Sequence, residues 1–216
     1  MSINKTYAVF GLGRYGMAVA TELVKSGVDV IAVDRNERLV AAAAPFIPVC
    51  KCADVTDPDV IEQLGIANVD TVIIAMASSL EATVMAIMLC KEAGVETVIV
   101  KCGDEMHRKI FSKVGADQVV FPENESGIRL AKNLLSAGFV DMVELTENVS
   151  MIEMKVKPEW VGKSLIELNL RKKYSINVVG LKCGEAISTV IDPEKTLEAD
   201  TGLIIIANTD KLKKLN

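Results

Sequence analysis

Apolar runs and helix-like stretches alternate along the first two thirds of the chain, a pattern typical of strands and helices in turn. Apolar runs predict strands at residues 6–10, 30–33, 49–53, 71–75, 97–101 and 118–121. Between them, helices are predicted at 17–25, 37–44, 57–64, 79–93 and 105–114. The run at 71–75 is apolar throughout, as expected for a strand covered on both faces. The pattern therefore predicts an α/β fold with a doubly wound parallel sheet.

The pattern changes after Gly138, where continuous apolar runs give way to alternation. Residues 143–145 and 151–156 alternate with period two, which is typical of strands that bury one face. Further elements are predicted as a short helix at 163–168 and strands at 176–181, 186–191 and 203–207. We therefore predict an α/β domain at 1–122, a linking helix and connector at 123–142, and a second, smaller α+β C-terminal domain at 143–216.

A glycine-rich loop, with the pattern G-x-G-x-x-G at 11–16, follows the first strand and opens the first helix. In this context the pattern is typical of a Rossmann dinucleotide-binding loop. Gly11 allows the tight turn, Gly13 lets a pyrophosphate approach the backbone, and Gly16 lets helix and strand pack closely. The phosphates would lie on free N–H groups at the positive end of the helix dipole. A glycine-rich turn without a ligand remains the alternative.

Asp34 ends the second strand, where a carboxylate can accept hydrogen bonds from both ribose hydroxyls of a nucleotide. The same carboxylate would repel a 2′-phosphate, so NADP is disfavoured. Arg35 follows directly and could turn inward to weaken that exclusion.

Composition narrows the function classes. Half of the residues are hydrophobic (50%), which suits a packed core, and the net charge is −5 with no basic block, which argues against nucleic acid. No apolar run approaches the roughly 18 residues of a spanning helix. The first strand begins close to the start of the chain, so we expect no signal peptide. The five cysteines, an odd number, suggest a reducing cytoplasm, and we expect buried free thiols.

Catalytic motifs are missing from the sequence. His107 is the single histidine, and it lies in a polar stretch where a solvent-exposed role is expected. The sequence contains no Cys/His metal cluster, no G-x-S-x-G and no Walker A loop. The C-terminal module is also small for a substrate domain. The nucleotide is therefore interpreted as a signal and not as a reactant, with a small NAD-dependent oxidoreductase as the alternative.

Seven stretches in a specific order resemble the cytoplasmic regulatory subunits of bacterial potassium uptake systems, the Trk and Ktr proteins built on the RCK (KTN) domain. The matching stretches are 8–16, 33–34, 53–56, 98–101, 113–117, 121–123 and 168–174. The resemblance extends over essentially the whole chain, and the Ktr type is the closer match because there is one nucleotide domain.

The resemblance implies a TrkA-N lobe that binds ATP, ADP or NAD(H) and a TrkA-C lobe that can bind a small regulatory ligand. It implies a cytoplasmic, non-enzymatic subunit that gates a potassium channel or transporter. Homodimers would assemble into an octameric ring beneath a membrane potassium-translocating subunit, which would hold the protein at the inner face of the membrane.

By position, the resemblance implies nucleotide contacts at Gly11, Gly13, Arg14, Tyr15, Gly16, Asp34, Arg35, Asp54, Val55, Ala75 and Lys101. Arg14 is also compatible with a solvated side chain. Glu123 matches an acid that can bind Ca²⁺ or Mg²⁺ between nucleotide lobes, although a carboxylate there could equally cap the helix that it opens. In the C-terminal lobe the implied regulatory site, which some relatives use for cyclic di-AMP, comprises Leu170, Arg171, Asn177 and Val178.

The predicted helix after the fourth strand is apolar on nearly all sides between residues 80 and 89. A helix that flanks a sheet at the surface should show a polar stripe. Met85 and Met88 are flexible side chains that are common at adaptable interfaces. We expect an oligomer interface on this helix, with burial on two sides within one subunit as the alternative.

Overall fold

The computed structural model describes residues 5–76, 79–135, 139–146 and 148–208. The chain divides into two compact units, Met1–Glu123 and Asn124–Asn216. Among the residues that the structure describes, no helix is both long enough and apolar enough to cross a membrane.

The first unit is built on a six-stranded sheet in which every neighbouring pair of strands is parallel. Its strands are β1 (Thr6–Phe10), β2 (Asp29–Asp34), β3 (Val49–Cys52), β4 (Thr71–Ile74), β5 (Thr97–Lys101) and β6 (Gln118–Val120). The order across the sheet is β3-β2-β1-β4-β5-β6. This order reverses direction at β1 and β4, as in a doubly wound Rossmann sheet, so the predicted fold class is confirmed.

Two hydrophobic clusters cover the two faces of this sheet. Alternate residues of β1 contribute to opposite clusters: Ala8 and Phe10 to one, Val9 to the other. All four residues of β4 are buried, as expected for a central strand with helices on both sides.

Five helices connect the strands of the first unit. They are α1 (Arg14–Lys25), α2 (Glu37–Ala43), α3 (Pro58–Gln63), α4 (Leu80–Glu92) and α5 (Glu105–Val114). Helix α1 begins at Arg14 and not at Met17 as predicted, because the last glycine of the loop lies inside the helix, where it packs against the start of the loop.

Helix α4 packs one side on the core and leaves the other side apolar and exposed. Thr83, Ala86 and Ile87 are buried, whereas Met85 and Met88 are 42% and 44% exposed. Burial on two sides within one subunit is therefore wrong as an account of this helix. The oligomer interface stays a prediction, and the exposed apolar side of α4 is the surface where we expect it.

The second unit contains a five-stranded sheet with only antiparallel pairing among its described strands. Helix α6 (Pro122–Leu135) precedes β7 (Phe139–Thr146), β8 (Val149–Lys155), β9 (Ile176–Cys183), β10 (Ala186–Ser188) and β11 (Thr201–Asn208). The order is β10-β9-β11-β8-β7, and the short helices α7 (Leu165–Leu168) and α8 (Leu170–Tyr174) lie between β8 and β9. Ile152, Ile176, Leu203 and Ile205 lie at the centre of its core. The predicted smaller α+β module is confirmed.

Some local predictions differ from the structure. Strand β10 ends at Ser188 and not at residue 191: its pairing with β9 stops there, and the Ser188 hydroxyl donates to the Val190 carbonyl beyond it. The predicted end of the linking helix, at Ala137 and Gly138, lies outside the described residues. The cysteines are not uniformly buried: Cys90 and Cys102 are, but Cys52 and Cys183 are exposed.

Candidate nucleotide-binding site

Two of the three loop glycines are required by the fold itself. Gly11 has a φ of +93°, and a Cβ added there would lie 3.0 Å from the carbonyl carbon of Ala75. A Cβ added at Gly16 would overlap the backbone oxygen of Gly11, and only movement of the backbone could relieve that overlap. Turn conformation and close packing therefore account for these two positions without a ligand.

Gly13 has no such explanation in the described part of the chain. Its φ of −64° and ψ of −177° are open to any residue, and a Cβ added there would meet nothing within 4 Å. Helices α2 to α5 each begin with a residue whose side chain accepts a hydrogen bond from a backbone N–H of the first turn. These capping residues are Asn36, Asp57, Ser79 and Asp104, in that order. Gly13 is the N-cap of α1 and makes no side-chain cap bond. The open space at Gly13 and a helix start without a side-chain cap together favour a phosphate here over a glycine turn without a ligand.

Asp34 ties the glycine loop to the end of β2. Its Oδ2 accepts the Leu12 N–H at 2.7 Å, and its Oδ1 accepts the Asn36 N–H at 2.8 Å. A carboxylate offers about four acceptor positions, so two would remain for ribose hydroxyls. The sequence indicated the ribose role alone, whereas the structure adds a loop-positioning role that depends on backbone geometry.

The predicted adenine-side residues lie just beyond β3. The N–H and hydroxyl of Thr56 donate to Asp54 Oδ1 at 3.0 and 2.7 Å. These two bonds, with a smaller contribution from the charge of Arg35, hold the pKa of the Asp54 carboxyl below its usual value. The Arg35 side chain is exposed. Val55 packs in the core, so only its backbone could face a base.

Ala75 and Met76, the two residues that follow β4, lie against Gly11. Ala75 donates its N–H to the Phe10 carbonyl at 2.7 Å, and Met76 Cγ lies 3.0 Å from where a Gly11 Cβ would be. Thr83 is 1% exposed, and its hydroxyl lies 2.9 Å from the Met76 carbonyl and 2.8 Å from that of Ser79. Sequence reasoning missed Thr83, although a polar residue inside the apolar run at 80–89 is a usable signal.

Four predicted residues meet near the start of α1. Lys101 Nζ donates to Glu123 Oε1 at 2.6 Å, and the same nitrogen lies 5.8 Å from the centroid of the Tyr15 ring. The Lys101 hydrogen bond, then the backbone N–H of Glu123 itself and the charges of Lys101 and Arg14, keep the pKa of the Glu123 carboxyl below its usual value. The sequence indicated Lys101 and Glu123 for separate roles, and their pairing was not predicted.

Metal binding is not supported within one copy of the chain. Among the described residues there is no group of three or more His, Cys, Asp or Glu side chains that could hold an ion. Glu123 was expected to share a cation with a second subunit, so that expectation stays a prediction. The bond from Glu123 to its own backbone N–H suits the helix-capping alternative.

His107 lies in the first turn of α5, with Nδ1 2.9 Å from Asp104 Oδ2.

The predicted regulatory site of the second unit lies around the turn between α8 and β9. Ser175 adopts a left-handed conformation there, with a φ of 58°, and donates its N–H to the Arg171 carbonyl at 3.1 Å. Arg171 and Asn177 are exposed on either side of this turn. Val178 is half-buried, and Leu170 is buried in the core of the second unit.

The two units match two domain families. The family model of the TrkA-N domain matches residues 7–122, and that of the TrkA-C domain matches residues 149–216. The Ktr system potassium uptake protein C of Bacillus subtilis is 35% identical over 209 residues, which cover 96% of this chain and 95% of that protein. The Ktr system potassium uptake protein A of Vibrio alginolyticus is 36% identical, over 97% of this chain and 95% of that protein.

Solved structures share the fold at low sequence identity. The GsuK channel bound to NAD matches with a TM-score of 0.65 and 15% identity, over 98% of this chain and 38% of the channel chain. The TrkA-N domain of the Escherichia coli inner membrane protein YbaL matches with a TM-score of 0.55 and 15% identity, over 62% of this chain and 99% of that domain. At such identities the likeness is one of fold.

Proposed function

The chain belongs to the family of potassium uptake proteins built from a TrkA-N and a TrkA-C domain, and on that premise we propose that it is a nucleotide-sensing regulatory subunit that gates a potassium channel or transporter. The main support for a nucleotide site is the glycine at position 13, the N-cap of α1. Neither backbone strain nor close packing explains why a glycine is present there. An uncapped helix start with room above it suits a phosphate.

The nucleotide would be ATP, ADP or NAD(H). Asp34 supplies a carboxylate for the ribose beside the loop. Arg14 and Lys101 supply cationic groups for the phosphates at the start of α1, and Tyr15 contacts the Lys101 ammonium. The adenine side would be formed by Arg35, Asp54 and the backbone of Val55, with Ala75 across the loop. This set contains acceptors for a ribose and donors for phosphates, which is the chemistry that a nucleotide needs.

Gating would follow from differential binding. A ligand shifts a conformational equilibrium only by the difference in its affinity for the two states. Nucleotides that differ in their terminal phosphate present different negative charge and different numbers of acceptor oxygens to Arg14 and Lys101. Two nucleotides could therefore favour two arrangements of an assembled ring, and the ring would act on the membrane subunit.

The proposed partners are a second copy of the chain and a membrane potassium-translocating subunit. Homodimers would assemble into an octameric ring through surfaces such as the exposed apolar side of α4, formed by Leu80, Met85 and Met88. Several exposed apolar side chains on one helix are typical of interaction sites. The protein would then be cytoplasmic and held at the inner face of the membrane through its partner.

The lobes proposed for these roles are a nucleotide-binding lobe at 1–122, a connector at 123–142 and a ligand and assembly lobe at 143–216. The turn around Arg171 and Asn177 would receive the regulatory ligand, with cyclic di-AMP as one candidate. Glu123 is the proposed position for Ca²⁺ or Mg²⁺, shared with a second subunit.

We propose that the chain is not an enzyme. A hydride-transfer reaction needs a proton donor near the nicotinamide, and His107 is engaged with Asp104 at the start of α5. Incubation with NADH and a panel of carbonyl compounds should leave the absorbance of the reduced cofactor unchanged. Turnover that a Gly13→Val substitution abolishes would favour the small NAD-dependent oxidoreductase.

The proposed nucleotide site is tested by calorimetric titration with ATP, ADP and NAD. Gly13→Val should abolish binding, because its side chain would occupy the space above the helix start. Gly127→Val is the matched control, since a Cβ at Gly127 also meets nothing within 4 Å and lies on α6. Equal nucleotide affinity in the wild type and the Gly13→Val protein would refute the site.

A further inference from the structure

In the described part of the chain, the ammonium group of Lys101 is paired with one carboxylate, that of Glu123. The Lys101 side chain is 12% exposed, whereas the Glu123 side chain is 63% exposed, and their charged atoms lie 2.6 Å apart. A mostly buried charge without a partner is strongly destabilising, whereas an exposed carboxylate is well solvated by water. Glu123 can therefore leave the pair at little cost, but Lys101 needs another anion when it does.

The pair lies where the proposed nucleotide phosphates would bind. Lys101 is the last residue of β5, and its Nζ lies 5.8 Å from the ring centroid of Tyr15 in the first turn of α1. Arg14, the residue that begins this helix, is close enough to influence the Glu123 carboxyl through its charge. Gly13, directly before Arg14, leaves open space at a helix start that no described side chain caps. The carboxylate of Glu123 is thus paired with a cation close to the start of α1.

We infer that Glu123 is a built-in competitor for the nucleotide at Lys101: it holds this cation in the nucleotide-free chain, and a phosphate must displace it to bind. This inference rests on the proposed nucleotide function and adds a specificity rule to it. A ligand whose phosphate reaches Lys101 must exchange with the carboxylate. A nucleoside without phosphates leaves the pair intact and is unaffected by it.

This role differs from metal binding and predicts the opposite sign. A metal ligand strengthens nucleotide binding, so its removal weakens affinity when Ca²⁺ or Mg²⁺ is present. A competitor weakens nucleotide binding, so its removal strengthens affinity when divalent ions are chelated. The two roles are therefore separated by working in EDTA.

The first measurement is the affinity of ATP and ADP for the full chain in EDTA, by calorimetry. Glu123→Gln should bind the nucleotide about two- to five-fold more tightly than the wild type, the range expected for a half-exposed ion pair. Glu22→Gln is the matched control, because Glu22 is an exposed partner of Lys25 at the far end of α1. It should leave the affinity unchanged. An unchanged or weaker affinity for Glu123→Gln in EDTA would overturn the inference.

A double-mutant cycle separates competition from general repulsion between Glu123 and the phosphates. On a Lys101→Met background, Glu123→Gln should no longer change the affinity, because there is no cation left to compete for. A gain of the same size on that background would mean repulsion through space and would also overturn the inference. Methionine keeps an unbranched side chain in this mostly buried position, and thermal melting checks that the variant is folded. If the wild type binds no nucleotide at all, the proposed function fails, which is a distinct outcome.

Discussion

At the scale of single residues, Asp34 has two tasks that one substitution would disturb together. It accepts the Leu12 and Asn36 N–H groups, and it is proposed to accept ribose hydroxyls. Loss of a charged acceptor costs about 1.5–3 kcal/mol per hydrogen bond. Any experiment on Asp34 therefore needs a control that removes a similar structural bond elsewhere.

Asp34→Ala is predicted to weaken nucleotide affinity at least about ten-fold, since about 1.4 kcal/mol corresponds to that factor. Asp70 provides the control, because its Oδ2 accepts the Thr6 N–H at 2.7 Å at the opposite end of β1. Asp70→Ala should lower the melting temperature and leave the affinity unchanged. Calorimetry and thermal melting of both variants check this, and equal affinity of Asp34→Ala and wild type would remove Asp34 from the site.

Arg14 is predicted to discriminate between nucleotides that differ in their terminal phosphate. Its exposed guanidinium can grip phosphate oxygens with two parallel hydrogen bonds, and a γ-phosphate offers more acceptors than ADP does. Arg14→Ala should lose most of the preference for ATP while keeping much of the ADP affinity. Arg14→Lys keeps the charge and should show an intermediate preference. Equal losses for ATP and ADP would make Arg14 a general phosphate contact.

Several site features could not have been predicted from the sequence because they depend on geometry between distant residues. The G-x-G-x-x-G spacing indicates the loop, but it does not separate Gly11 and Gly16, which the fold requires, from Gly13, which it does not. Lys101 and Glu123 were both singled out, yet their pairing depends on how β5 ends beside the start of α6.

At the scale of elements, the central strands of the first unit, such as β1 and β4, were predictable because each is a nearly continuous apolar run. The starts of helices were less predictable, as α1 shows. Helix α8 was missed because it is short and polar, and it follows Asn169 in a left-handed conformation with a φ of 47°. Such a residue gives no signal in the hydrophobic pattern.

The start of α1 provides a prediction about stability. Gly16→Ala should destabilise the chain by at least about 2 kcal/mol, because its Cβ would overlap the Gly11 backbone oxygen. Gly13→Ala meets open space in an ordinary conformation and should change stability little. Urea unfolding of both variants measures the difference. Similar free energies of unfolding for the two variants would contradict the packing described for the loop.

At the scale of the whole molecule, the exposed apolar side of α4 is predicted to hold copies of the chain together. Met85→Glu would place a charge on this surface without affecting the core, since Met85 is exposed in the single chain. It should reduce the mass of the assembly measured by light scattering. Phe46→Glu, at an exposed apolar residue between α2 and β3, is the control and should leave the mass unchanged. An unchanged mass for Met85→Glu would place the interface elsewhere.

Regulation of transport by the nucleotide is tested by potassium flux through the membrane subunit of the same uptake system, reconstituted in vesicles with this chain. With the wild-type chain, flux should differ between ATP and ADP. With Gly13→Val the flux should be the same whichever nucleotide is present, while Gly127→Val should respond as the wild type does. Flux that still follows the nucleotide with Gly13→Val, or a wild-type flux indifferent to every nucleotide, would contradict the account.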